Sequence, residues 1–240
     1  MKPGVLIITG ETAKYGSGHD VRMRAVALEL KKRKIDVQKV TLAPDEPLIV
    51  PLSCAVALLD RRDTAFNPPL TELRVKKIAV DNRGAGRAEA DLIADLLPHP
   101  EMNKNEYSAA LGSIILSREI SSLPSRASAS LITLHNSAEE AFAAADFVPG
   151  KERLAPREFR QRLAAASRPA LYFGQSLFEA LYLGLHVQLY PVSDYHKKLA
   201  VDLFSRQLIE PDLLSALDGK GLECFTDLIQ KTWKEATQHA

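Results

Sequence analysis

An α/β fold with parallel strands is predicted by three observations: short continuous apolar runs, amphipathic stretches between them, and turn residues at the junctions. The clearest run is Val5 to Thr9, closed by Gly10. A segment apolar at successive positions suits a strand covered on both faces, as in a parallel sheet, better than the alternation of a half-exposed one. From His19 to Lys34 apolar residues fall at Val21, Ala25, Leu28 and Leu30, and lysines and arginines crowd the C-terminal turn. That spacing predicts one face of a helix, with cations placed where its dipole favours them. Strand, loop and helix in this order open a βαβ unit.

Val37 to Leu42 follows as a second strand, and Pro44, Pro47 and Pro51 break the chain after it. Two later segments share one form: Cys54 to Leu59 ends in Asp60, and Lys77 to Val80 ends in Asp81. Each delivers a carboxylate to the C-terminal edge of a strand, where open α/β sheets gather ligand-binding groups. Pro68 to Arg74 reads as a short helix or turn, and Ala90 to Leu97 as a short strand or helix. Pro98 to Asn105, rich in proline and asparagine, reads as an exposed connection and candidate hinge, giving lobes 1–105 and 106–240. In the second lobe Ser113–Leu116, Ser130–Leu134, Pro169–Phe173 and His186–Tyr190 read as strands. Ala138–Ala145, Pro156–Ala166, Ser176–Leu183 and Tyr195–Leu208 read as helices, and Pro211 to Ala236 as two terminal helices packed back on the body.

Composition sets the outer limits. With 46% hydrophobic and 25% charged residues in 240, the chain has the usage of a folded globule and enough length for a real core. Thirty-one basic against thirty acidic residues leave a formal charge of +1, which excludes the strongly basic footprint of a dedicated nucleic-acid binder. Cys54 and Cys224, far apart, offer no disulfide framework or cysteine-rich metal site. The N-terminal apolar run is too short for a signal-peptide core, and no run has the length of a membrane span, so a cytoplasmic protein is expected.

The strongest local feature is Tyr15-Gly16-Ser17-Gly18-His19, set between an apolar strand and an amphipathic helix. Glycines let the backbone approach a ligand, and the helix start behind them offers unpaired N–H groups to an anion. His19 can donate to a phosphate or serve as a general base. A plain turn with a helix-capping histidine fits the same residues. The dinucleotide fingerprint is excluded because Val21 stands where its third glycine belongs, and no Gly-Lys-Ser/Thr follows, so this is no P-loop. A second strand-to-helix junction is Phe173-Gly174-Gln175-Ser176, followed by Glu179. There Ser176 is placed to cap the helix, whose amides would hold a diphosphate. Glu179 either completes a capping box or binds two ribose hydroxyls. His99, His135, His186 and His239 lack metal-ligand spacing, so neither a metal nor a cofactor is expected. Asp60-Arg61-Arg62-Asp63 reads as a substrate-reading edge or a solvated charge run, and Arg83-Gly84-Ala85-Gly86-Arg87 as an anion-wrapping or a plain surface loop.

The two junctions occur together and in order. Gly16 to Leu28, followed by Phe173 to Leu199, resembles the nucleotide-sugar hydrolases of the pseudaminic acid pathway and the related spore-coat polysaccharide glycosyltransferase-like proteins. His19 and Arg22 match the family's Gly-Ser/Thr-Gly-His-x-x-Arg loop. Gly174, Ser176, Glu179 and Ala180 match its Gly-Gly-x-Thr-x-x-Glu-Ala junction, and Arg118-Glu119-Ile120 is similar to its Arg-x-Glu-Phe segment. The resemblance implies two Rossmann-like lobes of glycosyltransferase-B type, the second one shortened. It implies a UDP-sugar hydrolase or glycosyltransferase in surface polysaccharide or nonulosonic acid biosynthesis. His19 would be the general base, with Gly16, Ser17, Gly18, Arg22 and Asp60 on the phosphate or sugar. Gly174, Gln175, Ser176, Glu179 and His196 would meet the nucleotide. Asp60-Arg61-Arg62 replaces the family's Asp-His-Tyr, and Ile132 to Ser137 replaces a strand ending in Gly-Gly-Ser-Asp. These departures leave open a non-catalytic nucleotide-sugar-binding relative.

Overall fold

The apolar runs become parallel strands in a computed structural model that describes residues 4–11, 17–43, 46, 54–61, 75–99, 102–149, 154–205 and 209–238. The chain forms two units, one of Met1–Leu96 with Leu222–Ala240 and the other of Leu97–Gly221. Among the described residues no helix is long and apolar enough to cross a membrane.

In the first unit β1 (Gly4–Gly10), β2 (Val37–Leu42), β3 (Cys54–Asp60), β4 (Lys76–Val80) and β5 (Leu92–Ala94) form one parallel sheet in the order β2-β1-β3-β4-β5. This is a recurring Rossmann-like order, whose switch point lies between β1 and β3. Val5–Ile8 and Val56–Leu59 are all at most 2% exposed, which is why these two strands read as unbroken apolar runs. Ala90 to Leu97 resolves into the short strand β5. Pro68 to Arg74 lies outside the described residues.

Helix α1 (Ser17–Lys32) packs on β1 and β2. Its buried stripe is His19, Arg22, Met23, Val26 and Leu30, whereas Leu28 is 63% exposed. The face expected from Val21, Ala25, Leu28 and Leu30 is therefore corrected by a rotation of the helix. Two ionisable residues join the inward face because partners on the sheet compensate them, and a count of apolar positions misses such residues. The helix Gly221–Gln238 also belongs largely to this unit: Phe225 and Ile229 are buried, and Asp227 and Gln230 receive the Arg33 guanidinium at the end of α1. The sequence grouping kept this helix with the second lobe.

After the single turn α2 (Gly86–Glu89) of the first unit come α3 (Lys104–Ser113), α4 (Arg118–Ser121), β6 (Leu131–Leu134), α5 (Ala138–Ala144), α6 (Pro156–Ala165), β7 (Ala170–Leu171), α7 (Gln175–Tyr182), β8 (His186–Leu189), α8 (Asp194–Ser205) and α9 (Pro211–Leu214). The helix Gly221–Gln238 is α10. The strands form a parallel sheet in the order β6-β8-β7. Around it Leu177, Phe178 and Leu181 of α7 pack with Val187, Leu189, Leu199 and Leu203. One expected strand, Ser113–Leu116, is not a strand. Asn103 and Glu106 form a capping box that starts α3, and Ile114–Leu116 continue from it as buried chain outside the sheet.

Helix α7 closes in a Schellman motif: the Gly184 N–H donates to Leu181 O at 3.0 Å and the Leu185 N–H to Ala180 O at 3.1 Å. Gly184 has φ 77°, and a Cβ there would lie 2.7 Å from Arg126 Cβ and 2.9 Å from Arg126 O. Gly184→Ala is expected to cost about 2 kcal/mol or more in urea unfolding. Gly112→Ala is the contrast. Its Cβ would only touch Ala216 O at 3.5 Å, so a stability gain of up to about 1 kcal/mol is expected.

Candidate functional site

Strand β3 ends on Asp60, Asp81 follows β4 directly, and the first turn of α1 lies against both. Thr9 stands opposite Asp60 in the β1–β3 register. These are the two strands at which the sheet order reverses, and open α/β sheets hold ligands outside such a pair.

His19 Nδ1 lies 2.6 Å from Asp60 Oδ1. Arg22 Nε donates to Asp60 Oδ2 at 2.8 Å, its Nη2 to Asp60 Oδ1, and its Nη1 to Asp81 Oδ2. Asp81 Oδ1 accepts the Leu96 N–H at 2.7 Å. An ionised carboxylate only accepts, so His19 Nδ1 is the donor in this pair. The 3.3 Å approach of Arg22 Nη2 to His19 Nδ1 is then two donors converging on one carboxylate oxygen rather than a bond between them. This is the orienting arrangement that prepares an imidazole to take a proton and steadies the imidazolium that results.

Electrostatics supports the ionised form. Burial pushes the Asp60 carboxyl up, but the charges and hydrogen bonds of Arg22 and His19 outweigh it and hold it at about 2. Burial pulls the Arg22 guanidinium down, and Asp60 and Asp81 overcome this to hold it above its ordinary range. Asp60 is 0% exposed and Arg22 3%, so the two residues expected on phosphate or sugar face each other in the interior. Asp60 meets His19 directly, and Arg22 reaches it through Asp60.

The remaining residues are distributed as follows. Gly16 and Arg62 lie outside the described residues, Ser17 opens α1, and Gly18 follows it. Gly174 is the N-cap of α7 and Ser176 its second residue, with no side-chain cap, so the capping assigned to Ser176 is corrected. The Gln175 side chain donates to Ile115 O. Glu179, 3% exposed, accepts the Ser117 N–H at 3.1 Å and has Arg160 Nε at 3.9 Å. Burial pushes its carboxyl up, and the Ser117 hydrogen bonds oppose this. Its capping-box alternative is therefore replaced by a tertiary contact. His196 Nδ1 is 2.7 Å from Ser193 Oγ, with the Tyr172 and Tyr195 rings edge-on to it. Arg87 grips Asp95 at 2.8 and 2.9 Å, which ties down the Arg83–Arg87 loop. Sequence reasoning missed Ser117 and Arg160 beside Glu179, because nothing in local spacing marks a partner 62 residues away. In comparison with known proteins, no family model matches the chain and no curated protein matches it.

Asp60 also generates a pH dependence. A carboxyl lowered from 3.8 to about 2 on folding contributes about 2 kcal/mol that is present above pH 3.8 and lost as the pH falls towards 2. Urea unfolding across this range should show that acid loss in the wild type and a flatter limb in Asp60→Asn. At pH 7 the variant should be less stable by roughly 3 kcal/mol, since it strands a buried guanidinium.

Proposed function

We propose that the chain is a nucleotide-diphosphate-sugar-dependent hydrolase or glycosyltransferase of surface polysaccharide or nonulosonic acid biosynthesis, with His19 as general base and no metal in the step. The observation that carries this reading is the His19–Asp60 pair, 2.6 Å apart at the carboxyl edge of the strands that flank the switch point. The start of the 16-residue helix α1 at the same place suits a phosphate oxygen. In the hydrolytic form, His19 Nε2 takes the proton of a water as its oxygen bonds to the anomeric carbon or to phosphorus. The bond to the departing group then breaks, and the diphosphate or phosphate oxygen leaves with the electron pair. In the transfer form an acceptor hydroxyl replaces the water. Asp60 and Arg22 hold the imidazole in place. The motif resemblance assigns the pyrophosphate to Gly174–Ser176 and the ribose to Glu179.

A second reading, a non-catalytic binding relative, is favoured by one observation: the Glu179 carboxylate is already tied to the Ser117 N–H. A thermal-shift series with UDP, CMP, GDP and their sugars separates the readings. Both expect a raised melting temperature with at least one ligand, because a ligand that binds the folded state stabilises it. The enzymatic reading further expects His19→Ala to bind that ligand and to lose sugar or nucleotide release by about a hundredfold or more. Equal background release by both proteins would leave the binding relative, and no shift with any ligand would overturn both.

A further inference from the structure

We propose that Asp81 is a positioning residue for His19, acting through Arg22 and Asp60. The inference rests on the reading of His19 as the base. Asp81 has φ 45°, in the left-handed region that aspartate and asparagine tolerate better than other non-glycine residues. Two bonds to the end of β5 hold it there: its N–H donates to Ala94 O at 3.0 Å, and its Oδ1 accepts the Leu96 N–H at 2.7 Å. With Oδ1 engaged, Oδ2 meets Arg22 Nη1.

A guanidinium is planar and its donors form a fixed fork. Arg22 binds Asp60 through Nε and Nη2, which leaves a pivot about that fork, and the bond from Nη1 to Asp81 removes the pivot. Asp60 Oδ1 accepts from both Arg22 Nη2 and His19 Nδ1, so a turn of the guanidinium moves the acceptor that sets the imidazole. The connection runs without a gap from the Leu96 N–H through Asp81, Arg22 and Asp60 to His19. Leu96 is the residue after which the chain leaves the first unit. The left-handed turn at Asp81 thereby links the end of β5 to the base.

Asp81→Asn isolates the effect. Asparagine tolerates the same backbone and can still accept the Leu96 N–H, but it carries no charge and turns an amide towards Arg22 Nη1, donor against donor. In full-length, nitrogen-15-labelled protein whose unfolding curve shows it folded, the ring-nitrogen signals of His19 and the Arg22 Nε–H signal should shift. Those of His135 and His186, in the other unit, should stay at their wild-type positions. Against a nucleotide sugar, kcat should fall roughly tenfold or more with KM within about twofold, the pattern of a displaced base. Wild-type His19 ring signals in folded Asp81→Asn would overturn the proposal. If that variant does not fold, Arg22→Lys takes its place, since an ammonium has no rigid planar fork to fix the two carboxylates relative to one another. Shifted His19 signals in it support the bridge, and unchanged ones overturn it. The ring signals need no turnover, so a wild-type protein that releases nothing from any nucleotide sugar would count against the enzymatic reading and leave this test standing.

Discussion

A guanidinium shut away from water has to meet its counter-charges where it lies, and Arg22 does so on two carboxylates that end neighbouring strands. Removing such a group from water costs several kcal/mol, and close, well-directed partners are what offset it. That requirement constrains much of the first unit. It sets the rotation of α1 about its axis, because a turn of one residue would carry Arg22 away from the sheet edge. It sets which end of the sheet α1 starts from, and it brings His19, one helical turn before Arg22, onto Asp60. The apolar stripe of Met23, Val26 and Leu30 points the same way, so packing and charge pairing agree on one placement.

The strands of the first unit were legible because both of their faces are buried, which writes an unbroken apolar run into the sequence. Helix α1 was legible as a helix, but its inward face was not, since His19 and Arg22 count as polar in any periodicity and their partners lie 38 to 59 residues away. Helix α3 was hidden for a related reason. Its capping residues Asn103 and Glu106 stand in a stretch whose prolines and asparagines suggest an open connection. Ile114 to Leu116 show the converse: an apolar run records burial, and burial alone does not say strand. In the site, His19, Arg22, Asp60 and Asp81 each carried a local signal. Their assembly did not, because contacts across 38 or more residues are made by the order of the strands.

Glu179 poses a different physical question from Asp60. Both carboxylates are buried, yet Asp60 is held ionised by a full guanidinium fork, whereas Glu179 faces a backbone N–H with Arg160 at a longer 3.9 Å. A carboxylate offers about four acceptor positions, so the Ser117 bond fixes Glu179 without using all of its capacity. The same contact therefore serves either a preset ligand-binding group or a brace between α7 and the chain leading to α4, and the two proposed readings diverge at this point.

Helix α10 makes the first unit discontinuous in sequence, with Leu97–Gly221 lying between its two parts. During synthesis, the sheet of the first unit emerges long before α10, whose Asp227 and Gln230 receive Arg33 of that unit. The inserted unit, by contrast, is whole before α10 leaves the ribosome. Domains generally fold as units and in order of emergence. In this chain the unit that starts first is the one that must wait, incomplete until α10 has left the ribosome.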